Sequence, residues 1–136
     1  MLNYKIKKGN IQVKENFDAS LPQVKALAGE LNQVWTNIID NAIDAMMENG
    51  SGILEIRTRQ EGQFVCVYVK DNGPGIPQEV QSQVFDPFFT TKDMGKGTGL
   101  GLDVATRIIR QHNGTVRLTS VPGNTEFIVC FPMNDN

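Results

Sequence analysis

The polar and apolar positions of the run Leu31 to Met47, LNQVWTNIIDNAIDAMM, follow a helical period. At about 100° per residue, Glu30, Gln33, Asn37, Asp40, Asn41, Asp44 and Glu48 fall in one strip roughly a quarter-turn wide. A helix with so narrow a polar strip is nearly surrounded by protein, so the strip either meets solvent through a slot or lines a pocket. Asn is a poor helix former because its amide competes for the backbone, and a solvated strip more usually carries Lys, Glu or Arg. The helix is predicted to start near Gly29-Glu30 and to stop at Asn49-Gly50-Ser51-Gly52, where Asn and Gly supply left-handed residues.

Around this helix the period is two. Ile11, Val13, Glu15 and Phe17 alternate with polar residues, predicting a short strand that ends at Asp18-Ala19-Ser20-Leu21-Pro22. Ile53 to Arg59 and Phe64 to Lys70 read as an antiparallel hairpin across Gln60-Glu61-Gly62-Gln63. The texture then changes. From Asp71 to Gly101 the chain is punctuated by glycines and prolines, and a loop of this length inside a compact domain is usually functional or mobile. A short helix is predicted to start at Pro77 and run through Glu79 to Val84. Leu100 to His112 has helical spacing and ends at Asn113-Gly114, and Thr115 to Ser120 and Glu126 to Phe131 close the chain as two strands around Pro122-Gly123-Asn124-Thr125. This order predicts a mixed sheet covered by helices on one face.

Composition narrows the picture. The 136 residues fit one domain, with residues 1–10 as a connector, 11–132 as the folded unit and 133–136 as a tail. A net charge of −2 with 21% charged residues gives no electrostatic reason to expect nucleic acid or an anionic membrane. No run approaches the ~20 apolar residues that span a bilayer, and MLNYKIKKGN has no apolar signal core, so the chain is expected to be soluble and cytoplasmic, whether or not its parent is membrane-anchored. Cys66 and Cys130, each inside an apolar run and without metal-ligand spacing, are expected to be reduced and buried.

Two glycine clusters carry candidate chemistry. Gly95-Lys96-Gly97-Thr98-Gly99-Leu100-Gly101 precedes a helix, where bare N–H groups and the helix dipole favour an anion and glycine lets the backbone approach phosphate oxygens. It is neither a Walker A loop nor a dinucleotide fingerprint, and taken alone it also suits a flexible connector. Asp71-Asn72-Gly73-Pro74-Gly75-Ile76-Pro77 places an acid at a strand tip beside glycines that admit a flat ring, so its carboxylate can accept a hydrogen bond from an exocyclic amine; a tight turn with a capping Asp is the other reading. One nucleotide pocket would account for both clusters and the polar strip together.

The set NIIDNAIDA (Asn37 to Ala45), DNGPGIP (Asp71 to Pro77), FDPFFTTK (Phe85 to Lys92) and GKGTGLGL (Gly95 to Leu102) resembles, in order and spacing, the N, G1, F and G2 boxes of sensor histidine kinases. The resemblance spans the chain from Ile11 to Phe131. It implies the Bergerat ATP-binding fold of the gyrase, Hsp90, histidine kinase and MutL superfamily, a two-layer α/β (α+β) sandwich with about five mostly antiparallel strands, helices on one face and a mobile lid over ATP.

Carried over residue by residue, the resemblance makes Asn41 the Mg²⁺ ligand and Asp71 the adenine anchor, with Asp44 one turn further along the pocket wall. It sets Gly73, Gly75 and Ile76 beneath the base, and Gly97, Thr98, Gly99, Leu100 and Gly101 around the phosphates. Thr125 resembles the residue that supports the adenine-binding Asp through hydrogen bonds. Phe88 begins the lid, and Lys92 or Lys96 reaches the γ-phosphate. Asn37 stands where the water-activating ATPases and serine-directed anti-sigma kinases of the superfamily carry a Glu general base. An amide cannot remove a proton, whereas a neutral imidazole attacks with a lone pair and needs no base.

The implied function is that of a sensor histidine kinase catalytic domain, passing the γ-phosphoryl of ATP·Mg²⁺ to a His in two-component signalling, with a response regulator downstream. His112, the only histidine, lacks the following acid that typically flanks a phosphoacceptor and is expected to be structural. The acceptor is therefore expected on a helical dimerisation domain N-terminal to Lys5-Ile6-Lys7-Lys8 and outside this chain, which would be monomeric by itself within a dimeric parent. The rivals are an anti-sigma-type serine kinase, a hydrolysing ATPase of the same fold, and an interaction module that has lost its nucleotide.

Overall fold

A computed structural model describes residues 11–16, 31–47, 50–81, 83 and 101–132. Five strands form one sheet: β1 (Ile11–Asn16), β2 (Gly52–Glu61), β3 (Phe64–Asp71), β4 (Thr115–Val121) and β5 (Asn124–Pro132), in the order β1-β2-β3-β5-β4. Only β1 and β2 pair in parallel among the described strands, joined through the long helix α1 (Asn32–Met47); the remaining pairs are antiparallel. The short α2 (Gln78–Gln81) follows β3, and α3 (Gly101–Gln111) precedes β4.

The strand period decides which face each residue serves. On β3 and β5, Val67, Val69, Phe127, Val129 and Phe131 turn toward the helices and form one core with Leu31, Val34, Ile38, Ala42, Ile43 and Met46 from α1 and its first turn and Leu102, Ala105 and Ile109 from α3. Burying each of the larger side chains among these stabilises the fold by about 1.5–3 kcal/mol before entropy is counted. Trp35 of α1 meets Phe131 edge-on at 6.2 Å, tying the helix to the end of β5. The two-layer sandwich with helices on one face is therefore as the sequence predicts.

Boundaries follow the turn chemistry. α1 ends at Met47, whose carbonyl accepts from the Gly50 amide at φ 81°. α3 ends one residue before His112 in a left-handed Asn113 (φ 63°), with Gly114 N donating to Ile109 O at 2.9 Å. The β2–β3 strands run further than the alternation suggested, leaving only Gly62-Gln63 as the turn, and β5 starts at Asn124, so Pro122-Gly123 makes the last turn. The ends expected at Glu30 and at Val84 lie outside the described residues.

One expectation fails. Cys66 and Cys130 are not two reduced thiols but a disulfide, joining directly opposed residues of β3 and β5 with Cα atoms 4.1 Å apart. Each cysteine taken alone lies in an apolar strand, and only the register brings them together on the outer face of the sheet. There they form a second small cluster with Tyr68 and Ile128. Arg57 lies over the Tyr68 ring, 4.7 Å from its centroid, and pairs with Glu126 at 3.2 Å, so its stem covers part of this cluster. His112 Nδ1 donates to Ile108 O (2.9 Å), and the ring packs edge-on to Phe131, in keeping with a structural role.

The disulfide closes a separation of 64 residues, so cross-linking should remove much unfolded-chain entropy. Reducing it before urea unfolding is expected to lower the unfolding free energy by about 2–4 kcal/mol. An unchanged urea midpoint after reduction would show that the bond does not carry this stabilisation.

Candidate functional site

The site is assembled where β3 ends. Asp71 is the last residue of β3 and pairs in register with Leu54 of β2 on one side and Thr125 of β5 on the other, so its backbone is fixed by both neighbours. Its period places the side chain on the helical face, where it is 3% exposed. Oδ1 accepts from the Gly73 amide at 2.9 Å, and no described residue takes the other oxygen. Burial pushes the Asp71 carboxyl above its ordinary range, and the Gly73 amide, which favours the charged form, offsets part of that. An acceptor desolvated in this way is suited to a ligand that brings its own donor.

The turn after Asp71 is shaped by what it must touch. Gly73 lies against the end of α1: a Cβ there would stand 3.0 Å from Asp71 Oδ1 and 3.5 Å from the Ala45 carbonyl carbon. Gly75, at φ 89°, lies against the β4–β5 turn, where a Cβ would come 2.8 Å from Val121 O. Any side chain at Gly75 would thus meet both backbone strain and a backbone atom. The Gly73 contact sets the α1 strip beside the β3 tip, since Asn41 lies one turn before Ala45 and Asp44 immediately before it. Asn37, Asp40, Asn41 and Asp44 are all half-buried. These four are therefore neither fully solvated nor part of the core, whereas Gln33, on the same strip, is exposed and its Nε2 donates to Asn37 Oδ1 at 2.8 Å.

Among the sequence candidates, the structure thus sets Asp71, Gly73, Gly75, Ile76 and Thr125 at the β3 end, with Asn41 and Asp44 on the stretch of α1 that leads to Ala45 and Gly101 at the start of α3. Thr125 is 4% exposed, but its hydroxyl is bonded to Ser120 Oγ at 2.7 Å rather than to the Asp71 carboxylate. Phe88, Lys92, Lys96, Gly97, Thr98, Gly99 and Leu100, and with them the expected lid, lie outside the described residues. Sequence reasoning missed Ser120 and Gln81, which bond to the turn. The signal for Ser120 was the Pro122-Gly123 turn, which sets Ser120 opposite Thr125 in the hairpin.

Metal chemistry is constrained by the same donors. No group of three or more His, Cys, Asp or Glu that could hold a metal occurs among the described residues. The hard amide oxygen of half-buried Asn41 suits a cation such as Mg²⁺ that draws most of its shell from phosphates and water. The residues present fit that mode and no all-protein cage.

Comparison with known proteins agrees with this geometry. Residues 27–135 match the family described as histidine kinase-, DNA gyrase B- and HSP90-like ATPases, and the chain belongs to that family. It is an ATP-binding domain of the histidine kinase kind. The chain is 37% identical over 134 residues to the sensory histidine kinase/phosphatase NtrB of Klebsiella oxytoca, covering 91% of this chain and 38% of that protein. NtrB of Azospirillum brasilense is 37% identical over 139 residues, covering 93% and 34% respectively. The chain thus spans less than two fifths of these curated relatives. Among solved structures, the nucleotide-free catalytic domain of histidine kinase ThkA superposes with a TM-score of 0.76 at 33% identity, over 96% of this chain and 84% of that one. Full-length ShkA in complex with AMPPNP shares the fold at a TM-score of 0.81 and 24% identity, over 96% of this chain and 27% of that one.

Burial of Asp71 has a stability consequence with a definite sign. The native domain holds the Asp71 proton more tightly than the unfolded chain does. This group therefore costs no stability below the unfolded carboxyl pKa and costs progressively more as pH rises through the folded one. Asp71→Asn, which keeps the acceptor for Gly73 and has no such proton, is expected to stabilise the ligand-free domain at neutral pH. Urea midpoints of the two proteins should converge toward about pH 4; a gap that stays constant with pH would contradict the assignment.

Proposed function

We propose that the chain is the catalytic domain of a two-component sensor histidine kinase, with residues 11–132 as the working unit, and that it transfers the γ-phosphoryl group of ATP to a histidine on a separate helical dimerisation domain. The observation that carries this reading is the buried Asp71 carboxylate at the β3 tip, facing the glycine turn and the amide-bearing strip of α1. Asp71 accepts from the adenine amine, and Gly73, Gly75 and Ile76 form the edge beneath the base. Asn41 holds Mg²⁺ together with the phosphates, and Asp44 lines the same wall. Gly97, Thr98, Gly99, Leu100 and Gly101 surround the triphosphate, whose charge the start of α3 favours. Phe88 begins the covering segment, and Lys92 or Lys96 reaches the γ-phosphate.

In this reaction the bond from the γ-phosphorus to the β,γ-bridging oxygen breaks, a P–N bond to the imidazole forms, and ADP leaves. Mg²⁺ would neutralise phosphate charge when bound; the chain's own residues contribute positioning and electrostatic stabilisation. Asn37 supports histidine as the acceptor, because an amide in that place cannot deprotonate water or serine. A neutral imidazole needs no such base. A response regulator then takes the phosphoryl group, and the parent is a dimer working on the cytoplasmic side, where ATP is available. No helix among the described residues is long and apolar enough to cross a membrane. In that reducing compartment the burial of Cys66 and Cys130 shields their bond from attacking thiolates.

Calorimetric titration with ADP and ATP, with and without Mg²⁺, tests the site. Asp71→Ala should weaken binding by about 1.5–3 kcal/mol, roughly tenfold or more, through loss of a buried charge-assisted hydrogen bond. In Asn41→Ala the loss should be confined largely to the Mg²⁺-dependent increment. Undiminished affinity in Asp71→Ala would remove the adenine assignment.

The acceptor is tested by supplying a histidine kinase dimerisation domain in trans with γ-labelled ATP. An acid-labile phosphohistidine on that domain is expected; label in an acid-stable phosphoserine, or rapid release of inorganic phosphate without it, would favour the serine-kinase or ATPase alternatives.

A further inference from the structure

The glycine turn that follows Asp71 is held by side chains that the reading above leaves without a role. Ile76 lies outside any helix or strand, so its amide and carbonyl need partners from elsewhere. Its amide donates to Ser120 Oγ at 2.8 Å, across 44 residues of sequence. Its carbonyl accepts from Gln81 Nε2 at 2.8 Å, and the same Gln81 amide donates to the Ser120 carbonyl at 3.1 Å. Ser120 Oγ is also bonded to Thr125 Oγ1 at 2.7 Å, and Thr125 is the register partner of Asp71. A backbone bond from Gly123 N to Gly73 O, 3.0 Å long, closes the other end of the turn on the same hairpin. The bonds thus form a ring from the β3 tip through the turn, α2 and β4 to β5 and back.

We propose that Ser120 and Gln81 are positioning residues of the base pocket, clamping the Gly73–Pro77 turn onto the β4–β5 hairpin so that the turn is preformed before a purine arrives. The inference rests on the reading of Asp71 as the adenine anchor and extends it to residues that do not touch the base. Its physical content is preorganisation. Hydrogen bonds spent on holding the turn in the free protein reduce the ordering cost at the moment of binding. Ser120 suits the task because its hydroxyl can accept from Ile76 and still share a bond with Thr125. Gln81 suits it because one amide nitrogen carries two donors, one for each carbonyl.

The test compares Ser120→Ala, Ser120→Thr and Gln81→Glu with wild type and with Asp71→Ala. Three readouts are used: ADP affinity by calorimetry, ligand-free melting temperature, and hydrogen exchange of the Ile76 amide. Gln81→Glu is isosteric, removes both donors and sets a carboxylate against two carbonyl oxygens. Ser120→Ala and Gln81→Glu are each expected to weaken ADP by about tenfold, the upper end for one part-buried hydrogen bond exchanged for an unpaired group. Both should speed Ile76 exchange and leave the ligand-free melting temperature within a few degrees of wild type.

Ser120→Thr, which retains the hydroxyl on a residue suited to a strand, should bind nearly as wild type. The clamp is overturned if Ser120→Ala and Gln81→Glu bind ADP like wild type while Asp71→Ala does not. It is equally overturned if their loss of affinity follows a general loss of stability that Ser120→Thr fails to restore. Wild-type affinity in Asp71→Ala would instead remove the base reading and the clamp with it.

Discussion

Asp71 occupies the last position of β3 with its carboxylate almost wholly out of water and the turn amide of Gly73 as its donor. Placing a carboxylate there opposes folding, because desolvation penalises the charge more than one amide repays. The surrounding structure supplies what this arrangement requires. β2 and β5 grip the strand on either side, the glycine turn folds back to donate, and α1 closes the space behind it. A group retained at such a cost is consistent with a ligand that completes its hydrogen bonding.

That arrangement explains the division of labour in the sheet. The central strands β3 and β5 carry buried side chains on both faces, the core shared with the helices on one side and the Cys66, Tyr68, Ile128 and Cys130 cluster on the other. The disulfide lies five residues from Asp71 on β3 and five from Thr125 on β5, so covalent and hydrogen-bonded constraints act along the same strand pair. The helical layer has the complementary task. α1 and α3 share the core that positions the half-buried amides and acids of α1 beside the β3 tip, and the start of α3 belongs to the same end of the fold. Membership of the histidine kinase-, DNA gyrase B- and HSP90-like ATPase family fits a sheet that serves as a rigid platform for a site at the end of its central strand β3.

Much of this was legible in the chain because the relevant signals are local. The narrow polar strip of α1 marked a helix nearly surrounded by protein, and its Asn41 and Asp44 are half-buried. Alternation named the five strands, and Asp71-Asn72-Gly73-Pro74-Gly75 marked the turn at which the site is built. The one failure has a non-local cause. Cys66 and Cys130 read as separate buried thiols because each was judged within its own strand, and their bond depends on the register between β3 and β5. Register likewise makes Thr125 the neighbour of Asp71 across β3 and β5 and sets its hydroxyl against Ser120 across β4 and β5.

The sequence by itself determined the elements and the chemical inventory: period two or 3.6, the caps at Gly50 and Asn113, and the acid, amides and glycines available for a nucleotide. These follow from side-chain direction and backbone freedom, which act over a few residues. Tertiary structure alone decided the burial that raises the Asp71 pKa, the cross-strand disulfide, and the ring through Ile76, Ser120 and Gln81. Each depends on atoms brought together from distant parts of the chain, where register and packing, not spacing, set the distance.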